Sequence, residues 1–180
     1  MQFGFGLFGA WWFSLIYIIF AYGLWFLFPK FVQIRFSRTP KIKNVSIVYK
    51  YVYLILLISS IFILFKINIF FYIGTLLYIS GLIIYILAIF FFSINEIDLI
   101  VNTGIYGYSR HPVYLGFFIM WLGVAVCTLN IVVLVLILIL GFLSYKIALL
   151  EEQQCVKKYG NDYLEYQRNV NFIFGKTLIK

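Results

Sequence analysis

The chain is poor in nearly everything a soluble enzyme uses for chemistry. Its 180 residues include six acids, one histidine (His111), two cysteines and three prolines. One histidine with Cys127 and Cys155 leaves too few ligands for a zinc site and too few thiols for a disulfide framework, so both thiols are expected to be free and no metal is expected. There is no Walker motif or dinucleotide fingerprint, and neither is expected without a strand–helix unit. Charged residues make up only 11% of the chain, against 64% hydrophobic ones and a mean hydropathy of +1.03. A soluble surface cannot be built from that composition; a membrane protein can.

What the chain does have is long apolar runs. A bilayer takes about twenty helical residues, and the runs predict an all-α, polytopic membrane protein with five transmembrane helices, at about 7–28, 48–65, 69–92, 113–127 and 130–149. We read one domain over 1–180, with three N-terminal helices in 1–92 and the chemistry-bearing motifs in 93–180. The run from Leu7 to Phe28 is too long for a signal core and lacks a basic leader, so it reads as a span. The fourth helix is short, and Cys127-Thr128-Leu129-Asn130 is expected to turn it back on the fifth as an antiparallel hairpin. Pro29 and Pro40 punctuate the first loop, and Pro112 sits where a proline best begins a helix. Aromatic residues, 22% of the chain, recur near the ends of the runs as interfacial belts do. Beyond residue 150 the tail is charged and amphipathic. Val156, Tyr159, Tyr163, Tyr166 and Val170 recur at helical spacing, which predicts a helix lying along the cytoplasmic interface.

The net charge of +8 argues for a membrane surface rather than nucleic acid. Lys30, Arg35, Arg38, Lys41, Lys43 and Lys50 cluster around the first loop with no acid among them, the pattern of a cytoplasmic loop facing anionic lipid. With the N-terminus outside, every basic residue except Lys66 falls inside, as do all six acids. The loop holding Arg110-His111 and the pair Glu151-Glu152 then share one face.

Those two patches carry the chemistry. In Gly104-Ile105-Tyr106-Gly107-Tyr108-Ser109-Arg110-His111-Pro112-Val113-Tyr114-Leu115-Gly116 a polar loop meets an apolar helix. A plain reading is a juxtamembrane arginine and a helix cap. The functional reading is a cation and a hydrogen-bonding ring beside free N–H groups of a helix N-terminus, suited to a carboxylate or phosphate. Tyr106, Tyr108 and Tyr114 add aromatic walls with hydroxyl tips, and Gly104, Gly107 and Gly116 allow close approach. Glu151-Glu152 stand near the end of an apolar run, where carboxylates oppose the helix macrodipole. The pair is either a solvated start to the tail or an acceptor for ribose hydroxyls, an ammonium or a nearby sulfonium. S-adenosylmethionine carries all the groups these two patches would recognise. By contrast, Gly74, Gly81 and Gly123 read as close helix packing, and Cys155 as an apolar position rather than a nucleophile.

At this point the chain resembles the isoprenylcysteine carboxyl methyltransferase family and, more loosely, integral-membrane phospholipid methyltransferases. The resemblance lies in Leu99-Ile100-Val101-Asn102-Thr103-Gly104-Ile105-Tyr106, Arg110-His111-Pro112-Val113-Tyr114-Leu115-Gly116, Glu151-Glu152-Gln153-Gln154-Cys155, Tyr159-Gly160, Tyr163-Leu164-Glu165-Tyr166 and Val170. It covers roughly residues 95–171. It implies an S-adenosylmethionine pocket facing the cytosol, enclosed by Asp98, Leu99, Ile100 and Val101, by Tyr106, and by His111, Pro112, Val113 and Tyr114, with Glu151 also binding the cofactor. A lipidic substrate would enter sideways from the bilayer. The chain departs from that pattern at Ile105, Gly107, Cys155, Tyr159 and Asn171-Phe172. It also has Ile147 where carboxyl-methylating relatives carry a substrate-linked arginine, and the adjacent Lys146 points about 100° away on a helix.

The expected reaction is methyl transfer to a membrane-embedded acceptor, with Arg110, Glu151 and Glu152 as the candidate catalytic residues. A carboxylate acceptor is already anionic and needs positioning and a compensating cation, for which Arg110 is the candidate. An amine acceptor must be neutral, and Glu152 or His111 would serve as base. A thiol acceptor and a phospholipid or small-molecule acceptor remain open. So does a non-catalytic membrane scaffold that keeps the fold. The membrane would be the plasma membrane of a prokaryote or the endoplasmic reticulum of a eukaryote.

Overall fold

The computed structural model describes residues 9–30, 43–96 and 99–175. Among these residues the named elements are all helical: α1 (Trp11–Leu27), α2 (Lys43–Phe62), α3 (Ile69–Ile94), a 3-10 turn (Gly104–Gly107), α4 (Pro112–Thr128), α5 (Ile131–Tyr159) and α6 (Asn161–Asn169). Helices α2, α3 and α5 are long and apolar enough to cross a membrane; α1 and α4 are apolar but shorter, at 17 residues each. The 29 residues of α5 extend about 44 Å, well beyond a hydrocarbon core of about 30 Å. Its apolar stretch ends at Leu150, and the residues from Glu151 to Tyr159 are mostly polar.

Local chemistry fixes the helix ends. Asn68 caps α3, its side-chain oxygen accepting from Phe70 N at 3.0 Å and Phe71 N at 3.1 Å. Asn130 does the same for α5 through Val132 N at 2.9 Å and Val133 N at 3.3 Å. Between α4 and α5 the turn is made by Leu129, which takes a left-handed conformation at φ 47°. Pro112 occupies the first turn of α4 with His111 as its N-cap.

The closest pairing is α3 against α4, and glycine makes it possible. A Cβ on Gly74 would stand 2.5 Å from Cys127 N and Gly123 O, and one on Gly116 would stand 2.7 Å from Tyr85 N. Gly81 lies as tightly against Met120. Backbones touch here because no side chain intervenes. Polar contacts hold α1: Ser14 and Ser60 hydroxyls meet at 2.6 Å, and Tyr78 Oη donates to Phe13 O at 2.6 Å. The core runs through Tyr78, Met120, Trp121, Val124, Ile137 and Leu140. The outer faces expose residues such as Phe26, Leu76, Ile83, Leu138 and Phe142, which suits a surface bathed in lipid.

The amphipathic tail is divided between two helices instead of forming one. The fifth helix continues to Tyr159, and Gly160, at φ 59°, breaks it so that α6 turns back. The predicted stripe faces inward: Tyr163, Tyr166 and Val170 are buried and pack with Ile100, Cys155, Val156 and Tyr159. Large aromatic faces gain more from burial against the preceding loop than from lying at a polar interface.

Candidate active site

One end of the bundle gathers the loop before α4, the polar end of α5, and α6. The loop is pinned by its own turn: Tyr106 N donates to Thr103 O and Ser109 N to Ile105 O, each at 3.1 Å. Gly104, at φ 57°, begins that turn flush against the Phe91 ring, where a Cβ would not fit. Tyr106 is buried beside Phe92 and accepts from Tyr166 Oη at its carbonyl, at 2.8 Å. Thus α6 is latched to the loop.

Behind the loop lies a charged cluster. Arg110 Nε donates to Glu152 Oε1 at 2.7 Å, and Nη2 reaches Oε2 at 3.4 Å. Its Nη1 donates to Gln167 O and Val170 O, both at 2.9 Å. Glu152 also meets His111 Nε2 at 3.0 Å and accepts from Gln167 Nε2 at 2.8 Å. An ionised carboxylate only accepts, so the shared proton belongs on His111 Nε2, which leaves Nδ1 as an acceptor when the ring is neutral. Burial alone would raise the Glu152 carboxyl; the hydrogen bond and charge of His111 and the charge and hydrogen bond of Arg110 outweigh it and hold the group below its usual value. Burial pushes the Tyr163 and Tyr166 phenols up, so both stay protonated.

In front of the cluster is a cavity of about 120 Å³. Its walls include the rings of Phe92, Tyr106, Tyr159, Tyr163 and Tyr166, and its polar groups include Arg110, His111, Tyr114 and Glu151. Tyr114 Oη donates to Glu151 Oε1 at 2.8 Å. A second cavity of about 740 Å³ opens between α1, α2, α3 and α4. The two cavities share Val113 and Tyr114, so one turn of α4 separates a polar chamber from an aromatic and aliphatic one.

Residues 62–162 match the family described as phospholipid methyltransferase. That is more than half of the chain, and it takes in α3, the loop, α4 and α5. The chain belongs to this methyltransferase family. Two curated proteins named protein-S-isoprenylcysteine O-methyltransferase are also similar to this chain. The one from Schizosaccharomyces pombe is 38% identical over 78 residues, covering 42% of this chain and 33% of that protein. The one from Saccharomyces cerevisiae is 37% identical over 73 residues, covering 39% of this chain and 30% of that protein. The chain therefore spans about a third of the length of the curated relatives it matches.

Most residues singled out from the sequence meet at this family's matched region. Ile100, Val101, Tyr106, Arg110, His111, Pro112, Val113, Tyr114 and Glu151 all line the smaller cavity. Leu99 is 55% exposed and does not line it, and Asp98 lies outside the described residues. Glu152 stands behind the wall, in the buried cluster. Ile147 is buried and carries no charge, while Lys146 is exposed with its ammonium 5.4 Å from the Phe142 ring centroid. Cys155 lines the cavity, and neither it nor the buried Cys127 is in a disulfide.

Sequence reasoning missed Phe92, Gln167 and Phe172. Phe172 packs 4.6 Å from the His111 ring and 5.2 Å from the Tyr145 ring, with the Arg110 guanidinium 5.6 Å from its centroid. Nothing in spacing announces it, because it follows the end of α6 on an irregular segment. That segment is tied to the loop by Arg110 N donating to Asn171 O at 3.2 Å and Gly175 N to Tyr108 O at 2.7 Å.

Proposed function

We propose that the protein transfers a methyl group from S-adenosylmethionine to a lipidic acceptor held in the membrane, with an isoprenylcysteine-type carboxylate as the acceptor. One observation carries this reading: the polar cavity holding Glu151 and His111 adjoins the large aromatic cavity at Val113 and Tyr114. A reaction between a water-soluble donor and a lipid needs two such chambers meeting at one wall.

The residues of the smaller cavity fit the donor's groups. Phe92, Tyr106, Tyr159, Tyr163 and Tyr166 offer ring faces for a purine, and Glu151 accepts from hydroxyl or ammonium groups. When bound, S-adenosylmethionine supplies an electrophilic methyl carbon: an acceptor lone pair forms the new bond as the carbon–sulfur bond breaks with its electrons onto sulfur. The protein's part is to position, and to exclude water. Tyr114 fixes the Glu151 carboxylate from the shared wall. Arg110 and Glu152 are positioning residues, since their hydrogen bonds go to each other, to His111 and to α6. A carboxylate acceptor arrives without a proton to remove, so no base is required.

The match to phospholipid methyltransferases supports a second reading, an amine acceptor. That acceptor would release a proton, and His111 Nδ1 is the available acceptor in the neutral ring. In this proposal the five apolar helices all span the bilayer, α4 and α5 as a hairpin within one domain. The N-terminus lies outside, and the site and C-terminus face the cytosol, following the Lys/Arg distribution.

The test uses protein in lipid nanodiscs with methyl-labelled donor and, separately, a farnesylated cysteine derivative or a phospholipid extract. Label released by base as methanol supports a carboxyl ester. Base-stable label in lipid supports the amine reading. Absence of saturable donor binding overturns both.

A further inference from the structure

Among the described residues the larger cavity is lined mainly by rings and aliphatic chains, with a single charged side chain, Lys50 of α2. Tyr17, Tyr49, Tyr53 and Tyr85 surround the same space with phenol groups, which donate hydrogen bonds but do not neutralise an ammonium. Lys50 is exposed to that space and, among the described residues, is in no ion pair. The sequence deepens the point: the first acidic residue of the whole chain is Glu96, so α1, α2 and α3 carry no carboxylate at all. Arg110, the cation lining the smaller cavity, is committed elsewhere. Arg110 gives Nε, Nη1 and one Nη2 hydrogen to Glu152, Gln167 and Val170.

We propose that Lys50 is the specificity residue of the larger cavity, holding the carboxylate of a single-chain lipidated acceptor whose hydrocarbon lies among the tyrosines. The inference rests on the methyl-transfer reading for the identity of the occupant as an acceptor. The charge argument is independent of it. A bare ammonium beside an apolar chamber is best satisfied by an anion that enters with an apolar chain, because desolvating both charges together strengthens their attraction. A lysine serving only as an interfacial anchor would contact lipid headgroups indifferently and would not distinguish occupants of the cavity.

The experiment measures binding directly, with the full chain in nanodiscs and without turnover. The probes are N-acetyl-S-farnesylcysteine and its neutral carboxamide, with phosphatidate as a double-chain anion. Donor binding is measured separately by equilibrium dialysis. Lys50→Gln is expected to weaken the carboxylate probe about tenfold or more, the loss typical of one charged hydrogen bond. It should leave the carboxamide unchanged, and Lys50→Arg should retain the preference for the carboxylate. An equal change for both farnesyl probes, or none, overturns the inference, as does a larger Lys50 dependence for phosphatidate. Unchanged carboxamide binding also establishes that the variant is folded. If wild-type protein fails to bind the donor while the Lys50-dependent preference persists, the methyl-transfer reading falls and the charge reading stands.

Discussion

Arg110 and Glu152 lie 42 positions apart in sequence and meet at 2.7 Å, with side-chain exposures of 13% and 8%. The pair joins the loop before α4 to the end of α5. Because Arg110 also donates to the carbonyls of Gln167 and Val170, the same guanidinium fixes the end of α6. Three segments that sequence order keeps apart are thereby held as one wall of the cavity. Removing the carboxylate would strand a buried cation, which costs about 3 kcal/mol or more. Glu152→Gln is therefore expected to lower the thermal midpoint in nanodiscs and to weaken donor binding with it. A variant as stable as the wild type would remove the positioning role.

Glu151 should behave differently although it is the adjacent residue. It is half-buried, lines the cavity and is held by Tyr114 Oη at 2.8 Å. Glu151→Gln keeps the shape and most of that contact while losing the charge. The expected result is donor affinity reduced about tenfold to a hundredfold, from a charged hydrogen bond of about 1.5–3 kcal/mol. Stability should hardly move. Calorimetric titration and a melt on the same sample separate the two adjacent glutamates.

Acid should weaken the fold through Glu152. Its carboxyl is held below the usual value of 4.5, so the stabilisation it gives is complete above that value and is lost as pH falls through the lower folded-state pKa. Melting curves of the wild type should be insensitive to this group between pH 7 and about pH 5. The stability gap between wild type and Glu152→Gln should then close as the pH drops further. A gap that stays constant down to pH 3 would show that the carboxylate does not gain from its cationic neighbours.

The fold and the site were legible in the sequence to different depths. Hydropathy located the apolar helices because spanning segments must satisfy their backbones internally. It misjudged the end of α5 by about ten residues, since Glu151–Tyr159 is polar yet remains helical. The glycines at 74, 81 and 123 were readable as packing positions, and they touch the facing backbones. The cavity-lining residues from Ile100 to Tyr114 were readable because a polar loop in an apolar chain is conspicuous. The inward turn of α6 was not readable from the stripe itself, because one amphipathic stripe suits a bilayer surface and a protein surface equally well; the family resemblance alone implied a tail that roofs the pocket. Which of the two surfaces the stripe meets is decided by Gly160 and by the Tyr166–Tyr106 hydrogen bond, both tertiary facts.

The α3–α4 contact gives a prediction independent of the chemistry. Gly116→Ala would place a methyl group 2.7 Å from Tyr85 N and 2.9 Å from Gly81 O, both backbone atoms that cannot rotate away. The helices must separate, at a cost of about 1–3 kcal/mol. Gly23→Ala meets nothing within 4 Å and serves as the control; it should be neutral or slightly stabilising because alanine favours the helix. Equal midpoints for the two variants would mean that the close approach is not maintained in the membrane.

The segment after α6 gives a kinetic prediction. Phe172 covers His111 and lies against Arg110 and Tyr145, yet it is only half-buried and belongs to no core cluster. Its neighbours hold it through backbone bonds, Arg110 N to Asn171 O and Gly175 N to Tyr108 O. Phe172→Ala removes the ring but keeps those bonds, so the melting midpoint should fall little. What changes is access to His111, which itself lines the polar cavity. Donor dissociation should speed up several-fold in stopped-flow experiments, with association nearly unchanged, because a cover acts on escape more than on encounter. Phe172→Tyr should restore slow release, since the ring–ring and cation–ring contacts need only an aromatic face. If alanine and tyrosine release the donor at the same rate as phenylalanine, the ring is not a cover and the smaller cavity is closed by the loop and α6 alone.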